Sequence, residues 1–255
     1  MLPLANPGAG TVLEVRQLCK TFGGVVANEA ISFNVPGGAI VGLIGPNGSG
    51  KTTLFNVVTG MIPADSGEVF FDGCAVLGKD PGQIARLGLI RSFQNTAVYD
   101  KMGCIENMLA SVSHARGRWW DLLSSPERSD QALAADLLNF VGLAGQQARL
   151  AGELSYGQRK LLEIAMALMS RPRLMLLDEP AAGINPALLG TLIDKLRRVN
   201  AELGVTLVVI EHNMAFLMEL AQHVHCVSRG RLLASGTPAQ VRANPVVLNA
   251  YLGAA

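Results

Sequence analysis

Ala39-Ile40-Val41-Gly42-Leu43-Ile44 runs directly into Gly45-Pro46-Asn47-Gly48-Ser49-Gly50-Lys51-Thr52, and this junction decides the fold. The apolar run stops at glycine, as a buried parallel strand does. The loop after it carries the spacing G-x-x-x-x-G-K-[ST] at every fixed position, and a helical stretch continues from Lys51 towards Gly60. Strand, glycine loop and helix in that order open a βαβ unit. Backbone N–H groups can wrap a phosphate polyanion only where no side chain stands in the way. Gly45, Gly48 and Gly50 give that access, and the helix that follows aims its positive end at the phosphates. Lys51 supplies a point charge for the β and γ oxygens, and the Thr52 hydroxyl is a magnesium ligand. Pro46, Asn47, Ser49 and Thr53 complete the nucleotide-contacting segment. Taken alone, the loop indicates a nucleoside triphosphate and nothing narrower.

A second acidic site lies downstream. Leu174-Met175-Leu176-Leu177-Asp178-Glu179-Pro180 is an apolar run ending in two carboxylates. Such a strand carries Asp178 to the carboxyl edge of a parallel sheet, where α/β proteins bind ligands. Asp178 there suits the outer shell of a magnesium ion. Glu179, one residue further, can polarise a water attacking the γ-phosphate.

Working outward, Val12–Leu18 and Glu68–Asp72 read as strands, as do Thr206–Ile210 and Val224–Val227. Between about Asn95 and Leu154 strand-like runs vanish, and Asp130–Val141 places Leu133, Leu137, Leu138 and Val141 at helical spacing. This middle third, which includes Trp119 and Trp120, reads as a helical insertion. Leu189, Ile193, Leu196, Val199 and Leu203 mark an amphipathic helix, and Pro238 to Tyr251 a helical extension. The expected division is a flexible leader over residues 1–10 and one domain over 11–255. Within it the core spans 11–94 and 166–237, the helical subdomain 95–165 and the C-terminal extension 238–255.

Composition narrows the classes. Apolar residues at 49% and charged residues at 16% fit an ordered globular chain. A net charge of +1 argues against a broad nucleic-acid surface. No apolar run reaches the roughly 18 residues that a membrane crossing needs. Cys19, Cys74, Cys104 and Cys226 lack the paired spacing of a disulfide framework or zinc site.

Between the two phosphate-associated sites stands Leu154-Ser155-Tyr156-Gly157-Gln158. With Gly45–Thr52 and Asp178–Glu179, it resembles the signature of ATP-binding cassette (ABC) ATPases, over roughly Leu13 to Gly253. That resemblance implies an α/β fold: a P-loop NTPase nucleotide-binding domain with an antiparallel β subdomain and an inserted helical subdomain. It implies ATP and Mg2+ as ligands, and two cassettes packed head to tail. Ser155, Gly157 and Gln158 would then face the nucleotide held by the partner. Gln94 falls where the family keeps a glutamine that contacts magnesium and water, beside the docking helix of the membrane subunit. His212 matches the switch histidine that contacts the γ-phosphate. Phe22 stands where an aromatic ring stacks on adenine, although the family more often has tyrosine there and a core phenylalanine reads equally well. Asn185 replaces the commoner aspartate in the loop Ala182-Gly183-Ile184-Asn185, which crosses to the partner.

Tyr156, where glycine is frequent in the wider family, resembles the branch serving branched-chain amino acid uptake. Ala85-Arg86-Leu87-Gly88, Glu211-His212-Asn213-Met214 and Ala250-Tyr251-Leu252-Gly253 point the same way. The function implied is ATP hydrolysis energising a membrane importer, from a peripheral position on the cytoplasmic face of the membrane. Its partners would be a second cassette, permease subunits and, indirectly, a substrate-binding protein, with no nucleic acid. Urea or amide importers and a lipopolysaccharide exporter share much of this framework, and the alternative functions are the ATPase of such a system or a soluble cassette ATPase of iron–sulfur assembly.

Overall fold

A computed structural model of the chain describes residues 10–92, 98–116 and 128–252. Among these residues two sheets form. The larger has the order β10-β9-β3-β8-β7-β6, where β3 is Ile40–Ile44, β6 Leu89–Ser92, β7 Leu174–Asp178, β8 Thr206–Ile210, β9 His223–Ser228 and β10 Arg231–Gly236. The strands from β9 to β6 pair in parallel, and β10 closes the edge antiparallel to β9. The smaller sheet is antiparallel, in the order β2-β1-β4-β5, from β1 (Thr11–Phe22), β2 (Val25–Pro36), β4 (Ser66–Phe71) and β5 (Cys74–Ala75).

Strands β3, β7 and β8 are buried along their whole length, which explains why they read as unbroken apolar runs. Successive side chains leave opposite faces of a strand, so each run feeds two cores. Met175, Leu177, Leu207 and Val209 join one cluster. It also contains Met108 from α3 (Cys104–Arg116), Leu137 from α4 (Arg128–Val141), Leu162 from α5 (Tyr156–Leu168) and Leu196 from α6 (Pro186–Leu203). Leu174, Leu176, Val208 and Ile210 face the other way. There they meet Leu54 and Phe55 of α1 (Lys51–Val58), together with Leu13, Leu18, Ile31 and Val69 of the antiparallel sheet. The helical insertion and the sheet thus share one continuous core. Gly42 in β3 leaves room for Leu217, whose Cδ2 lies 2.8 Å from where a Cβ would sit.

The predicted strands are present. β1 is longer than Val12–Leu18, running on to Phe22. Strands β2, β6 and β10 had no clear signature. In β2 register shifts against β1 break the alternation of buried and exposed positions, and β10 is a half-exposed edge. The C-terminal stretch is two short helices, α8 (Pro238–Arg242) and α9 (Pro245–Leu252). Pro245, which lacks an N–H, starts the second rather than continuing the first. Two further helices are α2 (Pro81–Arg86) and α7 (Met214–Leu220), which carries the Leu217 packed on Gly42. Trp119 and Trp120 lie outside the described residues. Among the described residues no helix is long and apolar enough to cross a membrane.

The two sheets are joined where β2 meets the β9–β10 turn. Glu29 N–H donates to Gly230 O at 2.7 Å, and the Arg231 guanidinium pairs with the Glu29 carboxylate through both of its oxygens. Behind this seam, His225 is buried against the rings of Phe33 and His223, each with its centroid 4.9 Å away. Burial, with help from the His223 charge, lowers the His225 pKa from 6.5 to about 4. The folded chain therefore holds this imidazole neutral while the unfolded chain protonates it first. Stability is full above pH 6.5 and falls as pH drops towards 4, by ~3 kcal/mol for this group. Urea unfolding of wild type and His225→Leu at a series of pH values should show the variant losing less stability across that window.

Candidate nucleotide site

Because β3, β6, β7 and β8 run parallel, their carboxyl ends share one edge, and the loops leaving that edge carry the candidate residues. After Ile44 the chain turns through Gly45–Gly50 into α1. Gly45 has φ +152, and a Cβ there would lie 1.9 Å from Val227 O. Gly50 has φ +99, and a Cβ there would lie 2.0 Å from Ala27 O. No other residue type fits either position, so the loop's backbone lies bare. Gly50 is the N-cap of α1 and gives no side-chain cap, which leaves the first helical N–H groups to an external acceptor. That cradle suits a phosphate. Asn47, Gly48 and Thr52 are exposed, Pro46 and Thr53 half-buried and Ser49 buried.

Lys51 is 5% exposed. Its ammonium donates to Gly45 O at 2.7 Å, Pro46 O at 3.0 Å and Ser49 Oγ at 3.3 Å. Burial lowers its pKa, against the attraction of Glu179 and Asp178, so the cation stands within electrostatic reach of both carboxylates. Two neighbours brace the loop. Asn28, fully buried, donates through Nδ2 to Gly50 O at 3.1 Å. Tyr251, from α9, stands close to Gly45, and burial raises its pKa to about 12.

Asp178 ends β7 and is buried, with Oδ2 paired to the Arg91 guanidinium at 2.7 Å. Arg91, on neighbouring β6, also donates to Asn56 Oδ1 of α1 at 2.5 Å. Glu179 continues the ladder, its N–H donating to Ile210 O at 2.9 Å. Its φ of +51 is left-handed, a conformation that costs a non-glycine residue about 1–3 kcal/mol. Directly across, His212 Nε2 lies 2.8 Å from Glu179 Oε1. Thr52 and Asp178 offer hard oxygen donors of the kind magnesium takes. The structure therefore gathers Lys51, Asp178, Glu179 and His212 at one strand edge. Gln94, assigned to the same place from sequence, lies outside the described residues.

Phe22 ends β1, 47% exposed beside exposed Val25 and Val26, and Lys20 Nζ sits 5.3 Å from its ring centroid. That exposure separates it from the core phenylalanines. Ser155, Gly157 and Gln158 are placed elsewhere. They line a separate cleft of about 410 Å³ with Leu161, Ile184 and Leu188. Ser155 is the N-cap of α5 in a capping box: its Oγ accepts from Gln158 N–H at 3.3 Å, and Gln158 Oε1 accepts from Ser155 N–H at 3.0 Å. The Gln158 amide is thus engaged in holding the helix start. Asn185 caps α6 by accepting from Ala187 N–H at 3.0 Å. The Tyr156 hydroxyl donates to Ala182 O at 3.0 Å, tying α5 to the loop after Glu179.

Sequence reasoning left Arg91 without a role and read Tyr156 only as a mark of kinship. Arg91 and Asp178 are 87 positions apart, and only the pairing of β6 with β7 brings them together.

A bare glycine cradle at a helix start, with two acids and a histidine at the same strand edge, defines a nucleoside-triphosphate-binding α/β protein. Residues 28–182 match the ABC transporter family, and residues 231–255 match the branched-chain amino acid ATP-binding cassette transporter family. The chain belongs to the ATP-binding cassette family of ABC transporters. It is 40% identical to the high-affinity branched-chain amino acid transport ATP-binding protein BraF of Pseudomonas aeruginosa, covering 96% of this chain and 98% of that protein. It is 37% identical to the Escherichia coli protein LivG, of the same description, with the same coverage. Among solved structures it resembles the ADP conformation of MJ1267, an ATP-binding cassette of an ABC transporter. The TM-score is 0.86 at 32% identity, over 95% of this chain and 99% of that one.

Arg91 and Asp178 are 8% and 6% exposed at their side chains. Removing one partner of such a pair strands a buried charge, at a cost of about 3–5 kcal/mol. Arg91→Leu should lower unfolding free energy by that order, as read from chemical denaturation.

Proposed function

We propose that this chain is an ATPase subunit that hydrolyses Mg-ATP in a pair of cassettes and thereby drives a membrane importer of branched-chain amino acids. The observation that carries the reading is the meeting of Glu179 and His212, 2.8 Å apart, at the strand edge shared with Lys51 and Asp178. Phosphoryl transfer needs positioning and charge stabilisation more than covalent chemistry. The glycine loop and the start of α1 hold the phosphates, and Lys51 exchanges its loop carbonyls for β and γ oxygens. Glu179 orients and deprotonates the attacking water, and His212 holds the Glu179 carboxylate while contacting the γ-phosphate. Phe22 offers its exposed face to adenine. Thr52 and Asp178, together with Gln94, would hold a magnesium ion, which would supply further neutralisation of the phosphate charge.

Ser155 and Gly157 line a cleft apart from the phosphate loop, which supports a head-to-tail pair in which each chain completes the other's site. The N-terminus of α5 then faces the partner's γ-phosphate. Closure reaches the permease through the Gln94 segment and the helices that share the sheet's core. ATP drives it by binding the closed pair more tightly than the open one. The chain would sit at the cytoplasmic face of the membrane, held there by its permeases. The similarity to BraF and LivG and the C-terminal match at residues 231–255 support branched-chain amino acids as the cargo.

Glu179→Gln should keep ATP binding, lose turnover by about 100-fold or more and accumulate the closed pair on size-exclusion chromatography with ATP. Turnover at the wild-type rate would remove Glu179 from its role. Lys51→Ala should instead weaken binding itself, read by fluorescent-nucleotide titration. For the cargo, the assembled transporter's ATPase should respond to its binding protein loaded with leucine, isoleucine or valine. A response to urea and to none of these would overturn the assignment.

A further inference from the structure

Glu211 follows the last residue of β8 and is 3% exposed. Its Oε1 accepts from Ala181 N–H at 2.6 Å. Its Oε2 accepts from His212 N–H at 3.1 Å and from Asn213 N–H at 3.2 Å. One carboxylate therefore spans two loops that leave adjacent strands. Ala181 belongs to the loop leaving β7, two residues beyond Glu179. His212 belongs to the loop leaving β8.

The span matters because Glu179 is held in a left-handed backbone conformation that it would leave if released. Two bonds restrain it. On its amino side, Glu179 N–H is fixed to Ile210 O at 2.9 Å. On its carboxyl side, past the stiff Pro180, Ala181 N–H is fixed to Glu211. The same carboxylate fixes the backbone at His212. The 2.8 Å approach of His212 Nε2 to Glu179 Oε1 is thus set from both loops by one buried group. Burial raises the Glu211 pKa, three backbone donors act against that, and the Glu179 charge adds to the rise.

We propose that Glu211 is a positioning residue for ATP hydrolysis: a buried clamp that locks the loop of Glu179 to the loop of His212 without touching nucleotide. This rests on the roles given above to those two residues. Glu211→Gln preserves the shape, but it leaves one acceptor oxygen and turns an NH2 group towards backbone N–H donors. Glu211→Asp preserves the charge but is one methylene too short to reach both loops.

The test uses the full chain, comparing wild type, Glu211→Gln, Glu211→Asp and Glu179→Gln for Mg-ATP turnover and, separately, for nucleotide affinity. Glu211→Gln should lower kcat by about tenfold to a hundredfold while nucleotide affinity stays within about twofold, because the phosphate loop is untouched. Glu211→Asp, which also serves if the glutamine variant does not fold, should lower kcat with the same unchanged affinity. In single-turnover measurements on the His212→Ala background, Glu211→Gln should add much less than it does alone, since the placement it controls is already lost. Wild-type kcat in both Glu211 variants, an equal fall in affinity and kcat, or full additivity with His212→Ala would each overturn the clamp. Glu179→Gln separates the two levels. If it turns over normally, the site reading itself fails; if it is inactive while the Glu211 variants are normal, only the clamp fails.

Discussion

Parallel pairing of β3, β8, β7 and β6 is the constraint on which the site depends. Strands that run in one direction end on one edge, so Ile44, Ile210 and Asp178 all hand the chain to loops on the same side. The pairing requires both faces of the sheet to be covered. Helices α5, α6 and α7, together with the helical insertion, cover one, and α1, with the antiparallel sheet, the other. Each strand thus contributes twice, as two rows of core side chains and as a launch point for a polar loop. The packing and the chemistry cannot be separated along these strands.

At that edge the chain carries several locally unfavourable features together. Gly45 and Gly50 take backbone conformations and approaches that exclude any Cβ, and Glu179 sits at positive φ. Lys51 is buried and drawn onto carbonyl oxygens, and Asp178 is a buried carboxylate neutralised by Arg91. None of these would persist in a loop left to itself. Each is fixed by a neighbour from a different element: Asn28 and Tyr251 brace the phosphate loop, and β6 delivers Arg91 to β7. The site is held open and polar by the stability of the sheet beneath it.

The signature segment follows a different logic. Ser155 and Gln158 cap each other's backbone N–H groups at the start of α5, in a cleft separate from the chain's own phosphate loop. Tyr156 ties that helix end to Ala182, in the loop that begins at Glu179. The start of α5 and the loop that begins at Glu179 are thus mechanically joined within one chain.

Much of this protein was legible in the sequence because it is written in short range. The glycine spacing of residues 45–50 with Lys51 and Thr52, the apolar run ending in Asp178-Glu179 and the Leu154–Gln158 segment each carry their meaning within a few residues. The buried parallel strands were equally plain, since burial on both faces demands unbroken apolar runs. Strands β2, β6 and β10 were not, because bulges, shortness and a half-exposed edge erase alternation. Nor could the sequence show that Arg91 neutralises Asp178, that Tyr251 reaches Gly45 or that Glu211 holds Ala181. Those contacts join residues far apart along the chain, and only the order in which the strands pair decides which of them meet.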